Sequence, residues 1–310
     1  MSLKTFHIWQ ETDIEKKLYA LDSHNKVIVY AAEEQIISDS FNPKKMKPQK
    51  SIDFIFGGTF YNKFQKYGNA NLHFWNNFWL YNSVSLIDVR NIIKKPNMQH
   101  LFICLNNEPH YHRCYMIDML AKNNLINKNV ISWNKIDSNY SAYKFRYWKE
   151  KITTLSDNYF ETKEQHILPR EFNVCFLNLV LESTVDGIFI TEKTFHPIII
   201  GKPFIVLAAP GFHRFLQSQG FLLYDEIISY DFDKENNLNK RIKMIVEELK
   251  RLQKNKYNKL YDKIKDKLDY NRKRALEIVR NQEGIPVIAR NFKYYDNIIK
   301  EATCKSDTLD

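Results

Sequence analysis

Two apolar runs joined by a short polar stretch, at residues 176–207, restrict the possible folds of this chain more than any other feature. The β-branched and aromatic residues at 176–181 predict a buried strand of a parallel sheet. Thr191 is a favoured residue type for the N-cap of a helix, and Gly201 is the type that most often follows a helix end. Residues 203–207 predict the next strand. Strand, helix and strand in succession indicate an α/β protein with a parallel sheet.

The first turn of that predicted helix carries an acid and a lysine, Glu192 and Lys193. Unpaired backbone N–H groups and the positive end of the helix dipole favour anionic ligands at such a position. The lysine adds a mobile ammonium group suited to a diphosphate. The stretch therefore predicts an anion-binding helix start.

These residues resemble a motif of the α1,3-fucosyltransferase-like glycosyltransferases, which have the GT-B architecture. In that family a Phe-Glu-Asn-Ser strand leads through a loop to a Tyr-Val-Thr-Glu-Lys helix start, and then to a strand that begins with a small residue and proline. The matching residues here are 181–183, 189–193 and 201–204. Two positions differ, because Phe189 replaces the tyrosine and no asparagine separates Glu182 from Ser183. These differences leave the nucleotide and the sugar open.

The resemblance implies a donor site for a nucleoside-diphosphate sugar. Lys193 would contact the pyrophosphate and Glu192 the ribose hydroxyls. Glu182 would shape the donor pocket, and Thr191 belongs to the same donor-binding set.

Arg113 belongs to a second matching element upstream. It follows a strand-like run at 101–105 and a turn-like stretch at 106–109, and it opens a helical pattern. The same family places an arginine after the first strand of its donor domain, where it pairs with the pyrophosphate. A planar guanidinium suits two phosphate oxygens, and together with Lys193 it would offset charge on the leaving diphosphate. A salt bridge on a helix surface is the alternative interpretation of Arg113.

The resemblance also implies two Rossmann-like domains that face a cleft. Residues 1–97 would form a small acceptor domain, residues 98–283 the donor domain, and residues 284–310 a closing helix and tail. Four strand-like segments are expected in the acceptor domain, at residues 5–9, 26–31, 52–56 and 72–75. From Thr303 onward we expect a frayed terminus.

Inversion at the anomeric carbon, which the resemblance implies, needs a general base for the acceptor hydroxyl. The base would face the side of the sugar opposite the leaving diphosphate, and so would come from the N-terminal domain. Glu33 and Glu34 are the first candidates, because they follow the strand-like residues 26–31 and the carboxyl end of a parallel strand would face the cleft. Asp13 and His73 remain alternatives.

Positive charge is concentrated in residues 240–274. This segment has fourteen basic and five acidic residues, a net of +9, whereas the whole chain has 46 basic and 36 acidic residues, a net of +10. Its apolar residues follow helical spacing, with a break expected near Asn255. One interpretation is a core-facing stripe with a solvated lysine face, and the others are contact with a nucleic-acid backbone or with an anionic membrane surface. The residues singled out for such a contact are Lys254, Lys256 and Lys263.

Several other classes of site are disfavoured. No G-x-G-x-x-G, Walker or G-x-S-x-G pattern occurs, and the four cysteines lack C-x-x-C spacing. Asp231 and Asp233 form a D-x-D pattern, but it lies after the donor motif in a polar turn, so we expect catalysis without a metal or another cofactor. His110 and His112 lack a third ligand nearby, and we interpret them as a phosphate-loop contact or plain surface.

The location of the protein is predicted from its apolar runs. The first ten residues lack the apolar core of a signal peptide, and later apolar runs are interrupted before they reach membrane-spanning length. We expect a cytoplasmic protein without a transmembrane segment, and peripheral membrane contact stays open.

The function that combines these observations is transfer of a sugar from a nucleoside-diphosphate donor to an acceptor hydroxyl. The acceptor that we favour slightly is a hydroxymethylated base in DNA, and a glycan or lipid-linked saccharide is the alternative. A non-catalytic nucleic-acid-binding protein on a degenerate transferase scaffold is a third hypothesis. Aromatic residues for contact with DNA would come from Phe74, Trp75, Phe78 and Trp79.

Overall fold

The computed structural model describes residues 3–7, 26–31, 52–57, 70–88, 98–133, 143–149, 168–291 and 293–309. Within these residues the chain forms eight β-strands, in two four-stranded parallel sheets, and seven α-helices. The α/β class with parallel strands, predicted from the sequence, is confirmed. The division into two domains that face a cleft stays a prediction.

The first sheet contains four strands in the order of the chain. They are β1 (Leu3–His7), β2 (Lys26–Ala31), β3 (Ile52–Phe56) and β4 (Ala70–Phe74). Each pairs in parallel with the next, for example with Asp53 opposite Asn71. All four lie at the predicted positions, with the outer two displaced by about two residues from the ranges expected from β-propensity alone.

The second sheet has the order β6-β5-β7-β8, with all neighbours parallel. Its strands are β5 (His100–Asn106), β6 (Val130–Trp133), β7 (Cys175–Leu181) and β8 (Phe204–Leu207). The chain proceeds from β5 to β6 on one side of the sheet and from β7 to β8 on the other. A topological switch point therefore lies between β5 and β7, and in open α/β sheets ligands bind beyond the carboxyl ends of the strands at such a point.

Seven helices connect and cover the sheets. They are α1 (Phe78–Leu86), α2 (Tyr111–Lys122), α3 (Glu192–Ile200), α4 (Phe212–Ser218), α5 (Leu238–Gln253), α6 (Tyr257–Arg280) and α7 (Lys293–Leu309). Short 3₁₀ turns occupy Arg170–Val174, Asp231–Lys234 and Val287–Asn291. None of the helices in the described part of the chain combines the length and apolar character that a membrane span requires.

Helices α5 and α6 confirm the predicted amphipathic pattern of the basic segment. The apolar positions are buried in the core: Ile242, Ile245, Leu249, Leu252, Leu260, Ile264 and Leu268. The predicted break is also present, because α5 ends at Gln253 and α6 begins at Tyr257. Asn255 lies in this break, and its side chain donates a hydrogen bond to the Arg251 carbonyl at 2.8 Å.

The C-terminal helix differs from the prediction of a frayed end after Thr303. Helix α7 continues to Leu309, which is only 2% exposed. Arg280 of α6 donates to the Ser306 carbonyl at 3.0 Å, and Lys305 donates to the Ser85 carbonyl of α1 at 3.1 Å. The prediction was wrong because these tertiary contacts hold the last turns of α7, and no local sequence signal reports them.

The aromatic residues expected to stack on DNA are largely part of the core. Trp75 is fully buried, and its ring centroid lies 5.6 Å from both Tyr81 and Tyr295. Phe78 is buried against the same rings. The expectation that Trp75 and Phe78 contact DNA is therefore wrong, because their side chains fill the space between α1 and α7.

Candidate functional site

The sequence elements that resemble a donor site meet at the switch point of the second sheet. Arg113 lies in α2, which follows β5, whereas Glu182 to Lys193 connect β7 to α3. Strands β5 and β7 are direct neighbours. The carboxyl ends of these two strands therefore bring together residues that are about seventy positions apart in sequence.

Glu182 holds the connection between β7 and α3 in place. Its side chain is fully buried. Its Oε1 atom accepts hydrogen bonds from the Thr191 backbone N–H at 3.1 Å and the Thr194 hydroxyl at 2.6 Å. Its Oε2 atom accepts from the Thr191 hydroxyl at 2.7 Å and from the Ser183 N–H at 3.3 Å. Four donors compensate for the burial of the carboxylate, so Glu182 orders the helix start from within the protein.

The start and end of α3 follow the predicted capping. The Thr191 hydroxyl oxygen accepts a hydrogen bond from the Lys193 backbone N–H at 3.3 Å, which makes Thr191 the N-cap. At the other end Gly201 adopts a left-handed conformation with φ of 73°, which glycine reaches without a steric penalty. Both predicted helix limits are confirmed.

Lys193 and Glu192 form an ion pair at the mouth of this turn. The Lys193 Nζ atom lies 2.7 Å from a Glu192 carboxylate oxygen, and it lies 3.4 Å from both the Ser183 and Thr191 hydroxyls. The Lys193 side chain is 29% exposed and that of Glu192 14%. Burial alone would raise the pKa of Glu192, but the adjacent Lys193 ammonium lowers it to about 2. The site therefore presents an ionised carboxylate and a partly exposed ammonium side by side.

Arg113 connects α2 to the β7 loop from the inside. It is 3% exposed, and its guanidinium donates to the Glu108 carbonyl at 3.1 Å and the Glu182 carbonyl at 3.4 Å. The surface salt bridge considered as an alternative does not describe this residue, because the side chain is buried. Arg113 thus spans the loops that follow β5 and β7.

His112 shares the carbonyl that Arg113 contacts. Its Nε2 atom donates to the Glu182 carbonyl at 2.7 Å. Burial, together with the neighbouring Arg113 charge, lowers the pKa of His112 to about 3, so the ring is neutral at physiological pH. The alternative of plain surface is wrong for His112, because its side chain is buried against the Glu182 carbonyl, whereas a phosphate-loop contact stays a prediction.

His110 lies at the start of α2, three residues before Arg113. It is the N-cap residue of α2 and is half-buried. Burial lowers its pKa, and the charges of both Arg113 and Lys193 lower it further, against an opposite effect of Glu108. The Arg113 guanidinium contacts the Glu182 carbonyl, and the Lys193 Nζ atom lies 3.4 Å from the hydroxyl of the next residue, Ser183, so both cations lie against the same loop. Reasoning from the sequence left His110 as a phosphate-loop contact or plain surface, although its position three residues before Arg113 at a helix start favoured the first of these.

Arg241 is a third cation that the sequence reasoning missed. It lies in the first turn of α5 and is buried, and its Nη1 atom donates to the Glu235 carbonyl at 2.6 Å. Its charge contributes to the lowered pKa of His112. Among the described residues its Nε atom has no hydrogen-bond partner. An arginine directly before the buried Ile242, on the core side of an amphipathic helix, was the available signal.

The two aspartates of the D-x-D pattern have separate structural roles. Asp233 is buried and accepts from the His213 ring Nδ1 at 2.8 Å and the His213 backbone N–H at 3.0 Å. Burial would raise the pKa of Asp233, but the hydrogen bonds from His213 lower it. Asp231 is exposed and accepts from the Ser229 hydroxyl at 2.8 Å. Whether catalysis needs a metal stays a prediction.

Of the four candidate bases, His73 is the one that lies within the described residues. Glu33, Glu34 and Asp13 lie outside the described residues. His73 lies on β4, and its Nε2 atom donates to the Asp53 carboxylate on β3 at 2.9 Å. Asn71 donates to the same oxygen at 3.0 Å.

The three lysines named for the predicted basic surface are accessible in the structure. Lys254, Lys256 and Lys263 are exposed. The free positive charge of residues 240–274 is lower than the net of +9 counted from the sequence. Other basic residues of the segment pair with acids, including two acids outside it, Glu226 and Glu283. These pairs are Lys250–Glu247, Arg251–Glu248, Lys267–Glu226 and Arg274–Glu283.

Comparison of the sequence with family models finds no match, and comparison with curated proteins finds none either. Among solved structures, the chain is similar to the DNA modifying enzyme beta-glucosyltransferase, crystallised in the presence and absence of its substrate uridine diphosphoglucose. The sequence identity is 13% and the TM-score 0.47, over 93% of this chain and 76% of the other. A likeness of this degree decides neither the fold nor the activity of this chain.

Proposed function

We propose that this protein is a glycosyltransferase that moves a sugar from a nucleoside-diphosphate donor to an acceptor hydroxyl. The observation that carries the proposal is that Arg113 contacts the Glu182 carbonyl and Lys193 the hydroxyl of the next residue, Ser183, each at 3.4 Å, at the switch point between β5 and β7. Positive charge at a helix start, beyond the carboxyl end of a parallel sheet, suits a diphosphate.

The diphosphate would lie between the starts of α2 and α3. Lys193 offers a partly exposed ammonium at the start of α3, where the positive end of the helix dipole lies. Arg113, which contacts the Glu182 carbonyl, and Arg241, which lies at the start of α5, are both buried, so their charges act through a medium of low dielectric constant. Such a cluster stabilises the charge that grows on the diphosphate as it leaves.

Glu192 supplies the complementary group for the nucleoside. Its pKa of about 2 keeps the carboxylate ionised across the physiological range, so it accepts hydrogen bonds and does not donate them. Ribose hydroxyls are donors of the matching kind. A carboxylate beside a diphosphate-binding lysine therefore favours a nucleotide over free diphosphate.

The proposed reaction is a direct displacement with inversion. The acceptor oxygen attacks the anomeric carbon, the bond from that carbon to the phosphate oxygen breaks, and its electron pair stays on the nucleoside diphosphate. The proton of the acceptor hydroxyl passes to a general base. We propose the GT-B arrangement for this step, with the base on the N-terminal side at Glu33 or Glu34, and with Asp13 and His73 as the alternatives.

For the acceptor we retain the slight preference for a hydroxymethylated base in DNA. The exposed lysines at 254, 256 and 263 support it, because cations on one surface can follow a phosphate backbone. A glycan or lipid-linked saccharide is the second candidate. The presence of an ion-paired Glu192 and Lys193 at a capped helix start argues against a scaffold that has lost its donor site.

Calorimetric titration with UDP, GDP, ADP and CDP tests the donor site. At least one should bind, and Lys193→Ala and Arg113→Lys should each weaken it on the order of tenfold or more, because a charge-assisted contact is lost or misplaced. The lysine in the second variant keeps the buried charge and lowers the risk of unfolding. Lys300→Ala is the matched control, since Lys300 also forms a short ion pair, with Asp296 at 2.6 Å, but lies on α7. Unchanged affinity in both site variants would refute the assignment.

A further inference from the structure

Residues 143–149, here called the aromatic segment, form a surface that the donor site does not use. Rings and cations are interleaved along it, and it contains no acid. Its residues are Tyr143, Lys144, Phe145, Arg146, Tyr147, Trp148 and Lys149.

A single buried carboxylate anchors this segment to α2. Asp118 accepts hydrogen bonds from the backbone N–H groups of Arg146, Tyr147 and Trp148 at 2.7 to 3.1 Å. The Tyr143 hydroxyl donates to the same carboxylate at 3.1 Å. Four bonds to one charged acceptor give the segment a defined backbone conformation.

The inward rings pack in a continuous aromatic cluster. Phe145 lies 4.7 Å from Trp148 and 6.1 Å from Trp133 at the end of β6, measured between ring centroids. Tyr143 contacts Tyr111, the first residue of α2, at 5.7 Å. Because these rings support the backbone from below, the outward side chains project from a rigid platform.

The outward side chains are two tyrosines and three cations. Tyr111 is 52% exposed and Tyr147 46%. The cations Lys144, Arg146 and Lys149 are also exposed, and none of them forms an ion pair with a residue in the described ranges. Lys122 lies over the Tyr147 ring at 5.1 Å and adds a fourth positive charge.

We propose that this platform binds a single-stranded or extrahelical segment of nucleic acid. Exposed rings offer a stacking surface for bases of any sequence, and cations between the rings match the phosphate spacing of a strand that runs across them. The same cations would also bind an anionic membrane surface, which is the alternative partner. The two tyrosines on a rigid, pinned backbone favour the nucleic acid, because stacking needs fixed rings and membrane adhesion does not.

The platform begins at the candidate donor site. Tyr111 is followed directly by His112 and Arg113, both of which contact the Glu182 carbonyl. A strand lying on the platform would therefore pass close to the proposed sugar donor. In identifying that strand as the acceptor, the inference rests on the proposed function, whereas the binding surface itself does not.

Fluorescence anisotropy with a labelled single-stranded oligonucleotide of about 16 nucleotides tests the surface. Tyr147→Ala should weaken binding on the order of tenfold, and Tyr147→Phe, which keeps the ring, should restore it. The control Tyr294→Ala removes a tyrosine of similar exposure on α7, and it should have no effect. Equal losses in Tyr147→Ala and Tyr294→Ala would overturn the proposal.

Charge is tested with two matched triple variants over a salt series. Lys144→Gln, Arg146→Gln and Lys149→Gln together should lower affinity and reduce the slope of log affinity against log salt by about 2. Lys254→Gln, Lys256→Gln and Lys263→Gln remove the same charge from the break between α5 and α6 and from α6, and should reduce the slope less. The reverse order, or loss of binding to phosphatidylserine vesicles without loss of oligonucleotide binding, would overturn the proposal.

Nucleoside-diphosphate titration of the same variants separates the two proposals. If the parent protein binds the oligonucleotide through Tyr147 but no nucleoside diphosphate, the surface stands and the transferase assignment fails. If it binds a nucleoside diphosphate but no oligonucleotide, the transferase assignment stands and the surface is refuted.

Discussion

The Thr194 hydroxyl lies 2.6 Å from a carboxylate oxygen of Glu182, and this contact joins the end of β7 to the first turn of α3. Both side chains are fully buried. Thr191 and Thr194 both donate hydrogen bonds to the Glu182 carboxylate, and Lys193 lies between them in the chain. The position of Lys193 therefore depends on Glu182. Changes at Glu182 should therefore affect stability and donor binding together.

Glu182→Gln should lower the free energy of unfolding by about 1–3 kcal/mol, because an amide cannot accept all four hydrogen bonds and leaves buried donors unpaired. Urea denaturation followed by circular dichroism measures this. Glu247→Gln is the control, since Glu247 is exposed and pairs with Lys250 of the same helix. A Glu182→Gln protein as stable as the parent would contradict the conclusion that Glu182 holds the connection between β7 and α3 in place.

Lys193→Ala should reduce turnover on the order of a hundredfold, because the ammonium contacts charge that grows on the leaving group. The unfolding midpoint should change little, since the side chain is partly exposed. The measurement compares kcat for the variant and for Lys300→Ala once a donor and acceptor are known. A variant that loses only donor affinity, with kcat unchanged, would place Lys193 in ground-state binding alone.

Activity should persist in EDTA, because in the proposed donor site cationic side chains take the place of a metal ion at the leaving diphosphate. The assay is sugar transfer after chelation and again after addition of Mn²⁺ or Mg²⁺. Complete loss of sugar transfer in EDTA, with recovery when the metal is added, would contradict this prediction and favour Asp231 and Asp233 as metal ligands. Asp231→Asn would then be the informative variant, because Asp233→Asn also disrupts the buried contact with His213.

Lys202 should make stability rise with pH in the alkaline range. Burial lowers the pKa of this lysine from 10.5 to about 8, with its ammonium near the Cys175 carbonyl and the Phe172 ring. Between these two pKa values the unfolded chain binds a proton that the folded chain has lost, so the free energy of unfolding increases with pH, by about 3 kcal/mol in total.

Lys202→Met should remove this increase, and denaturant titrations at several pH values between about 7 and 11 would measure it. Lys300→Met is the control, because Lys300 is exposed on α7. An unchanged pH profile in Lys202→Met would show that another group is responsible.

The general base should be found at Glu33 or Glu34. Glu33→Gln or Glu34→Gln should reduce kcat by about 10²- to 10⁴-fold while donor affinity is retained. His73→Gln should leave kcat within a few fold and lower stability, because Asp53 loses a hydrogen-bond donor. A collapse of kcat in His73→Gln alone would transfer the role to the His73–Asp53 pair.

The sequence by itself determined the elements whose causes are local. The buried strand β7, the N-cap at Thr191, the left-handed Gly201 and the break at Asn255 were all predicted. Each depends on residues within a few positions of one another, through capping, backbone preference or apolar spacing.

Only the tertiary structure decided which of these elements meet. The order β6-β5-β7-β8 places Arg113 beside the Glu182 carbonyl, although 69 positions separate them in the chain. It also buries His112 and Arg241, and contacts with α1 and α6 extend α7 to Leu309. Such outcomes depend on packing between distant segments, and a pattern read along the chain holds no information about which distant surfaces will be covered.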